Sequence, residues 1–163
     1  MYYSKIYDNY SENSTSLITD YSYEYSYEEL KSPEVRELLN KTALDNQSCC
    51  ISFGLNEQDL ADSFLQQATK AGREDQLVVH HLVYGPYYDS DSDSEAELTD
   101  QQINCDRMDH AAEYACFLGS YVPVFCSVHN DGTHQVHVLF STINPSTGEY
   151  HPDLWDQFLE FAR

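Results

Sequence analysis

The chain has 163 residues, and its 28 acidic residues face only eight Lys and Arg, a net charge of −20. That length suits one domain able to bury a core, and 41% hydrophobic residues argue against wholesale disorder. The charge repels phosphate backbones and anionic membranes, so on charge alone a conventional nucleic-acid-binding domain is excluded. No apolar run reaches the length of a membrane span, and no basic-then-apolar leader opens the chain. Five cysteines without CxxC spacing support neither a disulfide framework nor a zinc knuckle, and a reducing, cytoplasmic setting is expected.

Two stretches differ in character: a Tyr-rich acidic segment, 1–47, and an α+β domain, 48–163. The first holds eight of the fourteen tyrosines, and Tyr21, Tyr23, Tyr25 and Tyr27 alternate strictly. Alternation puts all four on one face of a strand. Two readings follow: an aromatic edge strand packed on the domain, or a tyrosine nucleophile presented from the N-terminal segment.

From residue 48 the pattern is regular. Residues 48–53 are short and apolar before Gly54, which predicts a strand. Asn56 is the expected cap of a helix carrying Leu60, Phe64, Leu65 and Ala68, stopped by Gly72. Residues 77–84 predict a second strand. The run Asp89-Ser-Asp91-Ser-Asp93-Ser-Glu95-Ala-Glu97 predicts a solvated acidic loop over 89–97. It lacks the sixth-position Gly and the final spaced Glu of an EF-hand. A helix over 100–118 ends at Gly119. Strands over 121–129 and 135–144 flank the turn Asn130-Asp131-Gly132, and Pro152 opens an amphipathic last helix. The order β-α-β-α-β-β-α predicts a central antiparallel or mixed sheet with helices on one face, an α+β layer fold.

Chemistry concentrates in the hairpin. Gln135 and His137 are two apart and share a strand face, and His129 ends the incoming strand beside them. Three lone-pair donors can converge there on a divalent metal, with Asp131 able to orient a ring. His134 lies on the face opposite Gln135. No GxSxG elbow supports a serine hydrolase.

The stretch His129 to Gly148 resembles the signature of plasmid mobilisation relaxases, which are HUH endonucleases. In that family a His ends one strand and an Asp follows two residues later. A His-hydrophobic-His pair then opens the next strand, followed by an apolar run, an Asn and a Pro-x-Thr-Gly turn. His129, Asp131, His137, Val138-Leu139-Phe140, Asn144 and Pro145-Ser-Thr-Gly148 match that order. Cys50-Ile-Ser-Phe-Gly54 and Val79-His-His81-Leu-Val-Tyr84 resemble the family's first two core strands, so the likeness spans 48–151. It implies a relaxase-like fold and metal-assisted nicking of single-stranded origin DNA of a plasmid or mobile element. A tyrosine forms the covalent link to the 5′ end. The implied metal ligands for Mg²⁺ or Mn²⁺ are His129, Gln135 and His137, with Asp131 and His134 beside them. The implied nucleophile is Tyr21, Tyr23 or Tyr25. The chain departs from the pattern at Gln135, where the family has His, and in its four basic residues over 48–163. Those departures support an alternative: a catalytically degenerate relative whose acidic surface imitates DNA and binds a basic DNA-binding protein.

Overall fold

The computed structural model describes residues 2–4, 21–45, 50–84, 100–129 and 135–162. The expected acidic loop, the Asn130-Asp131-Gly132 turn, and Asp131 and His134 with it lie outside the described residues. So does the side chain of Tyr21.

Two strands and two helices precede the part read as regular: β1 (Tyr2–Ser4), β2 (Tyr21–Ser26), α1 (Tyr27–Lys31) and α2 (Pro33–Asp45). They are followed by β3 (Cys50–Phe53), α3 (Leu60–Ala71), β4 (Leu77–Tyr84), α4 (Asp100–Gly119), β5 (Val124–Val128), β6 (Val136–Ser141) and α5 (Leu154–Ala162). The strands form one sheet in the order β1-β2-β4-β6-β5-β3, and every neighbouring pair is antiparallel. The α+β class with an open antiparallel sheet is therefore as the sequence indicates.

The helices do not sit on one face. α4 and α5 press Ala111, Tyr114, Leu118, Leu154 and Phe158 against Leu82, Val124, Val138 and Phe140. On the other face α1, α2 and α3 press Leu30, Leu39, Phe64 and Leu65 against Tyr25, Val79, Phe125 and Leu139. Two-sided cover explains why β5 and β6 are buried at every position, without the alternation of a half-exposed strand. The described part of the Tyr-rich segment thus belongs to the same sheet and the same core as the rest.

Local chemistry sets the element ends. Tyr27 is not in the strand with its alternating partners, because a capping box at Ser26 starts a helix there. The Ser26 hydroxyl accepts from the Glu29 amide at 3.2 Å, and Glu29 accepts from the Ser26 amide at 3.4 Å. α3 is capped by Asp59 rather than Asn56. Asp59 accepts from the Asp62 amide at 3.1 Å, whereas the Asn56 side chain is turned onto the Gln58 amide. Gly72 ends the helix in the left-handed conformation, φ 69°. Among the described residues no helix is long and apolar enough to cross a membrane.

Candidate functional site

Strand register assembles a polar band on the face covered by α1, α2 and α3. Tyr23 pairs with His81 across β2 and β4, and Val83 pairs with His137 across β4 and β6. His137 pairs in turn with Ser127 on β5, and Ser127 with Cys50 on β3. Directly opposed residues of antiparallel strands point to the same face, so β2, β4, β6, β5 and β3 each contribute to one band.

Within it four side chains are joined end to end. The Tyr25 hydroxyl lies 3.2 Å from His81 Nδ1. His81 Nε2 lies 2.8 Å from His137 Nδ1. His137 Nε2 lies 2.6 Å from His129 Nε2. The chain runs from the buried interior outward: Tyr25 is fully buried, His81 and His137 are buried, and His129 is half-buried. Burial holds His81 neutral, lowering its pKa from 6.5 to about 3. Burial, with the neighbouring His81 and His129 adding to it, puts His137 well below the ordinary histidine value. Burial and then Tyr23 raise the Tyr25 phenol, so it keeps its proton. Each of the two buried imidazoles therefore carries one N–H and one lone pair, and each N–H must point along the chain.

The expected site residues are placed as follows. His129 and His137 come together through their Nε2 atoms. Gln135 immediately precedes β6, and its backbone carbonyl accepts from the His129 amide at 2.8 Å, closing the mouth of the hairpin. Tyr23 is half-buried and stacked parallel to Tyr25, with ring centroids 6.2 Å apart. Tyr25 faces inward and is held by His81, so its hydroxyl is not offered to a polymer at the surface. His81 is the member that sequence spacing missed. It lies 56 residues from His137 in sequence, and only the β4–β6 pairing unites them. Its signal was the doublet His80-His81 in a strand, where one of two adjacent residues must point to each face.

Two opposed imidazole nitrogens are a start to a cation site. Nitrogen ligands lie about 2.0–2.1 Å from a zinc-like ion. A small opening of the 2.6 Å contact would let both Nε2 atoms bind one ion. The hydroxyl of Ser127, fully buried and paired in register with His137, has no hydrogen-bond partner among the described residues. Two imidazoles supply two of the donors that a divalent ion needs, and imidazole favours transition metals over Mg²⁺. Among the described residues no group of three or more His, Cys, Asp or Glu side chains is placed to hold a metal.

No family model, curated protein or solved structure matches the chain.

Proposed function

We propose that the protein is a relaxase-like, metal-assisted transesterase that nicks single-stranded DNA through a tyrosine. The observation that carries this reading is the pair of opposed Nε2 atoms of His129 and His137, on the sheet face that also bears Tyr23. Chemistry of this kind needs a nucleophile and a positive charge at one place. The phenol oxygen bonds to phosphorus, the bond to the 3′ oxygen breaks, and the phenol proton ends on the 3′ hydroxyl. His129 and His137, with Gln135 as the third ligand that the family resemblance implies, would hold a divalent ion, which would supply charge to offset that developing on the phosphoryl oxygens. Tyr23 is the favoured nucleophile over Tyr25, which is fully buried and bonded to His81. Tyr21 lies two residues along the same strand and is the other candidate.

The test is a denaturing gel after incubation with Mn²⁺ and single-stranded DNA carrying candidate origin sequences. A covalent protein–DNA adduct is expected, lost in His137→Ala and in either Tyr23→Phe or Tyr21→Phe. An adduct that survives His137→Ala, or no adduct across a randomised DNA pool, refutes the reading.

The net charge of −20 favours a second reading, in which the scaffold binds a basic DNA-binding protein as a DNA imitation. Capture of such a protein should then weaken steeply with salt, since surface charges are screened within about 10 Å at 0.1 M. Salt-insensitive capture, or none, counts against it.

A further inference from the structure

We propose that a cleft at the end of the sheet opposite the histidines seats an arginine side chain of a basic partner protein. This gives the second reading above a point of contact. It rests on that reading's charge argument and not on nicking.

The β5–β6 hairpin turns at the histidine end, so the start of β5 and the end of β6 meet at the other end of the sheet. There the end of β3, the last residue of α4, Pro123 and Asn144 enclose a cleft of about 310 Å³. That volume is at the low end for ligand sites and suits one side chain better than a cofactor. Two of its walls are the rings of Phe53 and Tyr121, which stay 42% and 41% exposed. Gly119 carries no side chain, and the Phe53 ring lies over it. A Cβ at Gly119 would stand 2.9 Å from Phe53 Cδ2, so the aromatic wall occupies the space that a side chain would need.

Three features select a cation for this cleft. A helix C-terminus carries partial negative charge, and α4 has no base in its last turn to offset it. The Gly119 carbonyl has lost its ordinary helical donor. The residue four positions on is Pro123, which has no N–H, and the Val122 amide goes to the Leu118 carbonyl at 3.0 Å. Among the described residues no Lys or Arg lines the cleft. Arg73 reaches the adjoining turn but donates to the Gly148 carbonyl at 3.2 Å. A carboxylate stands behind the Tyr121 wall instead: His151 packs on Tyr121 with centroids 6.3 Å apart, and Glu149 lies 3.8 Å from His151.

Aromatic faces attract cations, and a guanidinium stacks flat on them while its edge donors reach a carbonyl. An apolar side chain would cover the Gly119 carbonyl without satisfying it, which is costly. An anion would meet both the helix end and a net charge of −20.

The test uses hexa-arginine on the whole chain, with hexa-lysine and the uncharged hexa-citrulline beside it. Nitrogen-15 NMR should show saturable shifts at Gly119, Ser120 and Tyr121. Calorimetry should rank hexa-arginine above hexa-lysine and find no binding of hexa-citrulline. Tyr121→Ala should weaken hexa-arginine by about 3–10-fold, the scale of one lost cation–aromatic contact. Tyr121→Phe keeps the ring and should bind as the wild type does. Phe53→Ala serves if Tyr121→Ala does not fold, and Gly119→Ala, which displaces the Phe53 ring, should also weaken binding. Asp109→Asn with Glu113→Gln, elsewhere on α4, should matter less than Tyr121→Ala. Wild-type affinity in both Tyr121→Ala and Phe53→Ala overturns the proposal. So do shifts that avoid the cleft, no binding of hexa-arginine, or a dimer in sedimentation that Tyr121→Ala dissociates. Full salt-sensitive capture of a basic DNA-binding protein by Tyr121→Ala would refute the cleft and leave the second reading standing. No such capture, with hexa-arginine still seated at the cleft, would refute DNA imitation and leave the arginine site.

Discussion

His80 and His81 are adjacent in β4 and face opposite sides of the sheet, so one sequence doublet has two physical fates. His81 enters the polar band. His80 is buried in the α4/α5 core, its ring stacked on Trp155 at 5.1 Å and set 5.1 Å from Phe140. The charged group facing it is Glu24 of β2, 3.8 Å away and half-exposed. A carboxylate at that distance favours the protonated ring, but burial dominates and lowers the His80 pKa from 6.5 to about 4. The unfolded chain therefore takes up this proton as pH falls through about 6.5, while the native state resists until about 4. Stability is full above the unfolded value and falls across that window, by about 3 kcal/mol for His80 alone. His81 and His137 act in the same direction. Urea midpoints measured from pH 7.5 down to 4.5 should decline, and His80→Gln should flatten part of the slope. A midpoint that rises on acidification through this window would contradict the burial argument.

Elements show where pattern reading works and where a local competitor defeats it. β4 coincides with its expected bounds, because a β-branched apolar run followed by Gly-Pro has no rival structure. The tyrosine alternation fails at Tyr27, because the Ser26–Glu29 capping box satisfies two helix-end amides that a longer strand would leave to other partners. The start of α3 was misplaced by three residues for a related reason. Both Asn56 and Asp59 can cap, and the tertiary contact decides. Asn40 of α2 donates to the Asp59 carboxylate at 3.1 Å and accepts from the Ala61 amide at 3.2 Å. Asn40 and Asp59 thus cap α3 jointly from two helices. Arg36 adds only a partly exposed ion pair to Asp59 at 3.8 Å, a contact of small value. Asp59→Ala should cost about 1 kcal/mol, in the range for a lost cap. Asn40→Ala should cost a similar amount, and the double variant less than the sum, since the two share partners. Strict additivity in a urea double-mutant cycle would show that the two caps act independently.

At the scale of the whole molecule, connectivity hides what composition shows. The His129–His137 half of the site was legible because a hairpin is local: eight residues separate the two rings. The rest was not, because the sheet order β1-β2-β4-β6-β5-β3 places β2 beside β4 and β4 beside β6, and spacing along the chain carries no record of those pairings. Helices on both faces were likewise hidden, since an apolar strand run reads the same for a strand covered on one side or two. The charge, by contrast, is fully legible and has a consequence that does not depend on any site. With 28 acids against eight bases, most carboxylates have no cation to pair with. The ion pairs of Lys31 with Glu28 and Arg36 with Asp59 are partly exposed and contribute little. Compacting such a chain raises its self-repulsion, so the native state is penalised more than the extended one. Salt shortens the Debye length from about 10 Å at 0.1 M to about 3 Å at 1 M and removes much of that penalty. Raising NaCl from about 0.1 to 1 M should therefore increase the melting temperature by about 2–4 °C for each 1 kcal/mol of repulsion relieved. Neutralising substitutions, such as Asp109→Asn with Glu113→Gln, two exposed carboxylates one turn apart in the interior of α4, should raise the melting temperature at low salt and shrink the salt effect. A melting temperature that is flat or falls with NaCl would mean that the carboxylates are already compensated in the native state, and that the charge is a property of the surface alone.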